Sequence, residues 1–81
     1  MGLGRINGKE ILIINVWGVE QDYAVLHGIK SFKEAYEEIK NLKAFDRANG
    51  FKDKYMLELE TEDAVYGLYT LRKYKNRWIV K

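Results

Sequence analysis

The chain has 81 residues, 47% hydrophobic and 32% charged, which suits one small domain over residues 1–81 and excludes a disordered tail. Lys and Arg number 14 against 12 Asp and Glu, and the resulting net charge of +2 excludes a histone-like polycation. With no cysteine there are no disulfides, iron–sulfur clusters or thiolate zinc sites, one His leaves no His-rich metal centre, and no cofactor is expected.

The longest apolar run, Ile11-Leu12-Ile13-Ile14, ends at Asn15 and falls far short of the ~20 residues of a bilayer span. Met1-Gly2-Leu3-Gly4-Arg5 carries no apolar stretch behind its charge, so no signal peptide is expected and the cytoplasm is the expected location.

Asn7-Gly8 is a strong hairpin turn signal. It pairs a short strand, 3–6, with a longer one, 9–17, and sets Arg5 opposite Glu10. Leu12, Ile14 and Val16 on one face and Ile11, Ile13 and Trp17 on the other mark 9–17 as a central strand. A turn over 18–21 leads to a returning strand, 22–29, with Tyr23, Val25, His27 and Ile29 on one face. Ser31-Phe32-Lys33-Glu34 is a capping box that opens a helix over 32–48. Phe32, Ala35, Tyr36, Ile39, Leu42 and Phe45 recur at helical spacing and are expected to face the sheet. Asn49-Gly50 ends the helix, with Gly50 at the left-handed position and Phe51 folding back on Phe45.

Residues 54–60 alternate Tyr55, Leu57 and Leu59 against Met56, Glu58 and Glu60. Thr61-Glu62-Asp63 reads as a hairpin loop and 64–74 as a long strand in which Gly67 marks a bulge or bend. Lys75-Asn76 then turns the chain into 77–81. The expected class is α+β: one antiparallel sheet of five or six strands with a single helix across one face. No proline guards the sheet edges, so charge must do so.

Residues 28–35, Gly28-Ile29-Lys30-Ser31-Phe32-Lys33-Glu34-Ala35 after two or three strands, resemble the strand-to-helix step of small three-stranded DNA-binding domains of the integrase-arm type. The likeness spans about a tenth of the chain and carries no residue role over. Richness in Lys, Ile, Asn, Tyr and Glu is also typical of AT-rich genomes, such as those of many phages and mobile elements.

Enzyme motifs fail on spacing. Gly2, Gly4 and Gly8 miss the dinucleotide fingerprint, and they precede a strand where a helix N-terminus is needed to meet phosphates. Ser31, the only serine, is accounted for as a cap, which removes a Ser–His–Asp triad. His27 alternates with Val25 and Ile29 and is expected to be a buried or half-buried structural residue. Glu34, Glu37 and Glu38 interleave with Lys33 and Lys40 as a solvated helix face. A metal-free ribonuclease using Arg72, Lys73, Tyr74, Arg77 and His27 is the one enzyme class compatible with the composition, and the chain is expected not to be an enzyme.

The last ten residues hold five basic side chains and no acid, whereas 58–63 hold four acids. A two-residue turn at Lys75-Asn76 sets Tyr74 opposite Arg77, Arg72 opposite Ile79 and Thr70 opposite Lys81. One face then carries Tyr66, Leu68, Arg72, Tyr74, Arg77, Ile79 and Lys81; the other carries Val65, Tyr69, Leu71, Trp78 and Val80 and reads as core. Cations with exposed rings are how sheets bind single-stranded nucleic acid. The expected interface is Tyr66, Arg72, Lys73, Tyr74, Lys75, Arg77 and Lys81. The alternative is a protein-interaction or self-assembling module, such as a homodimer, in which the basic residues only guard an edge and Tyr66, Leu68 and Ile79 offer an apolar surface.

Overall fold

The computed structural model describes residues 3–81. Gly2 of the glycine-rich start lies outside the described residues. Eight strands and one helix follow in the order β1 (Arg5–Ile6), β2 (Lys9–Glu10), β3 (Ile13–Gly18), β4 (Tyr23–Ile29), α1 (Phe32–Ala48), β5 (Tyr55–Glu60), β6 (Val65–Tyr69), β7 (Leu71–Tyr74) and β8 (Arg77–Val80). The class is α+β with antiparallel pairing, as expected, but the strands form three sheets in place of one: β1-β2, β4-β3-β5-β6 and β7-β8. Among the described residues no helix is long and apolar enough to cross a membrane.

Two long strands divide because their backbones change partner. The Ile11 N–H donates to the Gly4 carbonyl at 2.9 Å, and the next amide, Leu12, donates to Glu60 at 2.8 Å. The expected strand 9–17 therefore splits at this handover, which buries Ile11 and exposes Leu12. Likewise Tyr69 pairs with Leu57, whereas Thr70 exchanges hydrogen bonds with Lys81 at 2.7 and 3.1 Å, so 64–74 becomes β6 and β7. The turns hold as read. Asn7 and Gly8, and Lys75 and Asn76, all have positive φ, which suits the twist of two-residue hairpins. Arg5 does lie opposite Glu10, but its guanidinium donates to the Gly8 carbonyl.

β3 is central, as its two apolar faces implied, and β5 runs beside it in unbroken register from Ile13↔Glu60 to Gly18↔Tyr55. Ile14, Val16, Leu57 and Leu59 are wholly buried under α1, which contributes Ala35, with Phe32, Ile39 and Leu42 packed around them. The opposite face keeps Asn15, 3% exposed, whose amide nitrogen donates to Glu60 and whose oxygen accepts the Gly28 amide.

The helix spans 32–48 as read, and the Ser31 hydroxyl accepts the Glu34 amide at 3.0 Å. At its end Gly50 has φ +74° and the Phe51 amide donates to the Asp46 carbonyl at 2.7 Å. Phe45 does not reach the sheet: it is 63% exposed, and with Phe51, 67% exposed, it flanks an open depression of about 480 Å³. Asp46, one position on, turns inward instead and accepts the Tyr55 hydroxyl.

Bulges overturn three facing expectations. β4 gains one residue between the Ile14↔Ile29 and Val16↔Leu26 pairs, and another before Trp17↔Ala24. The first extra residue turns His27 to solvent, so it is not buried; Gly28 takes φ +73° beside it. In β6 the extra residue falls between Tyr69↔Leu57 and Tyr66↔Leu59. Tyr66 therefore shares the helix-facing side with Leu59, and Val65, read as core, is exposed opposite Glu60. Gly67 sits in this bulge, where an added Cβ would come within 3.2 Å of Glu58 Cγ.

Asp53 ties the β3–β4 turn to the start of β5. Its carboxylate accepts the Glu20 amide at 2.8 Å, the Lys54 amide at 2.7 Å and the Gln21 side chain at 3.0 Å. Burial works to raise its pKa, but these bonds outweigh burial and hold it below 3.8.

Leu57→Ala is expected to cost ~2–5 kcal/mol, and Phe45→Ala under ~0.5 kcal/mol, in urea unfolding followed by circular dichroism. A carboxyl depressed in the folded state adds stability above its unfolded value, and that stability is lost as pH falls through the folded value. Asp53→Asn is accordingly expected to lower the urea midpoint at pH 7, with the gap from the parent closing below pH 4; a constant gap down to pH 2 would refute the linkage.

Candidate nucleic-acid interface

The β7–β8 hairpin places most of the basic C-terminal residues. Its register, Leu71↔Val80, Arg72↔Ile79, Lys73↔Trp78 and Tyr74↔Arg77, is the one implied by a two-residue turn. Leu71 and Val80 pack against the core, and Trp78 meets Tyr36 of α1 with ring centroids 5.4 Å apart. These contacts fix the inner face. The Thr70 hydroxyl adds a bond to the Lys81 carbonyl at 3.1 Å, closing the base of the hairpin.

Alternation then puts Arg72, Tyr74, Arg77 and Ile79 on the outer face, with Lys81 beside Thr70 at its base. Arg72, Arg77 and Lys81 are exposed, and Tyr74 is 58% exposed. Two other expected residues stand apart from this face. Lys73 lies on the inner side with its ammonium 5.4 Å from the Trp78 ring, and Lys75 sits in the turn with its ammonium 5.4 Å from the Tyr74 ring. Tyr66 is not brought to the hairpin; the β6 bulge turns it toward the helix side of the main sheet.

Among the described residues the one salt bridge joins Lys9 to Asp63 at 3.4 Å. The hairpin cations therefore have no carboxylate partner in reach. Asp63, the nearest acid before the hairpin in the chain, pairs with Lys9, Glu60 accepts the Asn15 amide and Glu58 lies beside Gly67. His27 is on β4, across the four-stranded sheet from β6, where the hairpin begins. Three strand spacings amount to ~14 Å, so His27 is not gathered with Arg72 and Arg77.

Two groups of residues at this site carried no signal in the sequence. The anchor pair Tyr36–Trp78 joins residues far apart in the chain, and helical spacing marked Tyr36 only as core. Lys43 and Lys54, from α1 and the segment before β5, line the space beneath the hairpin together with Arg72 and Lys73. No local spacing connects them.

No protein-family model matches the chain, and no curated protein or solved structure is detectably similar to it.

Trp78→Ala should loosen the hairpin from the helix while sparing the central strands. Amide exchange of β7 and β8 is expected to accelerate at least ~10-fold more than that of β3 and β5. Equal acceleration throughout would make Trp78 part of the global core.

Proposed function

We propose that this chain is a non-enzymatic module that binds single-stranded nucleic acid through the outer face of the β7–β8 hairpin. The observation that carries the reading is the sharing of one face by Arg72, Tyr74 and Arg77, with Lys81 at its base and no carboxylate engaging any of them. Guanidinium and ammonium groups hold phosphates, and an exposed ring supplies a stacking platform that tolerates any base. Lys75, at the tip, extends the basic strip past Tyr74. The net charge of +2 and the acids of 58–63 disfavour wrapping a long duplex, whose charge density is higher.

A second reading, a protein-interaction or self-assembling module, is favoured by the sheet face that α1 leaves uncovered. Ile13, Trp17 and Met56 lie there half-buried, and Val65 is exposed beside them. It expects association in sedimentation velocity that does not depend on the hairpin cations.

Fluorescence anisotropy with labelled oligothymidylate and oligoadenylate, as DNA and RNA, tests the first reading. Three phosphate contacts give a log–log salt slope of about −2, and Arg72→Ala with Arg77→Ala is expected to flatten it by about 1.4. Tyr74→Ala is expected to cost ~1–3 kcal/mol of affinity. Absence of binding at ~100 μM protein in low salt, or binding indifferent to the Arg72 and Arg77 changes, would leave the hairpin as a charged edge and favour the second reading.

A further inference from the structure

Beneath the inner side of the hairpin, between β7 and α1, lies a depression of about 440 Å³. Its charged lining is wholly basic: Lys43 from α1, Lys54 from the approach to β5, and Arg72 and Lys73 from β7. All four are exposed, and none makes a salt bridge among the described residues. Half-buried Tyr36 supplies aromatic surface to the same wall, and Tyr55 backs it from the core. Asp46, behind that wall, accepts the Tyr55 hydroxyl, and Asp46 and Asp53 open on neighbouring depressions.

Cations brought together from three separate elements with no anion among them repel one another and are left without a counter-charge. A compact dianion relieves this best. A phosphomonoester carries −1.5 to −2 charges at neutral pH and three acceptor oxygens, against a single charge for an internal phosphodiester. The volume falls within the range of small-ligand sites, so a terminal nucleotide fits along with its phosphate. The depression also adjoins the hairpin whose opposite side carries Tyr74 and Arg77, with Arg72 at the border of the two surfaces. A strand lying on the outer face reaches it only by ending or turning there.

We infer that this depression receives the terminal phosphomonoester of a bound nucleic-acid strand, with Lys43, Lys54 and Lys73 as its charge partners and Tyr36 as the surface for the terminal base. The inference deepens the proposed nucleic-acid function and rests on it.

The test compares a 12-nucleotide oligothymidylate bearing a 5′-phosphate, a 3′-phosphate or hydroxyls at both ends, labelled internally and titrated in low salt. One phosphorylated end is expected to bind about fivefold to tenfold more tightly than the hydroxyl-ended strand, and in Lys43→Gln/Lys54→Gln that ratio is expected to fall to about 1. Both lysines are exposed, so the neutral pair should keep its thermal melt, which circular dichroism verifies. Equal affinity for all three strands would overturn the inference while leaving the hairpin reading in place, as would a ratio that persists in the double variant. A parallel calorimetric titration with thymidine 5′-monophosphate and thymidine separates the two readings. Monophosphate binding without any strand binding would overturn the strand end as the source, and the hairpin reading with it.

Discussion

The pairing of β3 with β5 is the constraint from which the other elements take their places. Six consecutive residue pairs align without a slip, and four of the side chains they carry, Ile14, Val16, Leu57 and Leu59, are wholly buried. A slip of β5 by one residue would send Leu57 and Leu59 to the other face and bring Glu58 under the helix beside Ile14 and Val16. Asn15 adds a polar lock on the reverse side. Its amide is satisfied only where Glu60 and the Gly28 amide both come within reach, which holds β5 and the β4 bulge at one relative position.

One helix covers one face of this pair, and the remaining chain is arranged around that limit. Both edge strands, β4 and β6, are bulged, so the flat ladder that would invite a further strand is missing at either edge. The C-terminal hairpin escapes the sheet because Thr70 bonds to Lys81 in preference to β5. It is then held by Leu71, Val80 and the Tyr36–Trp78 contact, which leaves its outer face free of packing duties. The nucleic-acid reading draws on this division of labour: an apolar inner side supplies rigidity, and an outer side with unpaired cations remains available.

The electrostatics are polarised beyond what a net charge of +2 suggests. Of the acids on the uncovered sheet face, Glu60 bonds Asn15, and Glu58 lies beside Gly67. The cations of the hairpin and of the space beneath it have no such partners. Thirty residues separate Lys43 from Lys73, so only folding makes them neighbours.

Features decided within a few residues were legible in the amino-acid sequence. The Ser31 cap, the Gly50 termination, the two hairpin turns and the strict alternation from Tyr55 to Glu60 each follow from local backbone chemistry, and each appears where its residues imply. The register of β7 with β8 was legible for the same reason, because a two-residue turn dictates it, and the outer placement of Arg72, Tyr74 and Arg77 came with it. Only tertiary structure decided which partner each strand takes. Ile11 and Thr70 look like the middle of strands, yet each marks a change of partner set by distant chain. The bulges acted in the same way: one extra residue opposite Asn15 or Glu58 reversed the facing of His27, Val65 and Tyr66, because alternation has a period of two and keeps no memory across an insertion. Phe45 had the spacing of a core residue, but the sheet beneath that end of the helix presents the Tyr55 hydroxyl, which Asp46 meets. Periodicity states which positions share a face; what lies opposite that face is settled by contacts the local sequence does not contain.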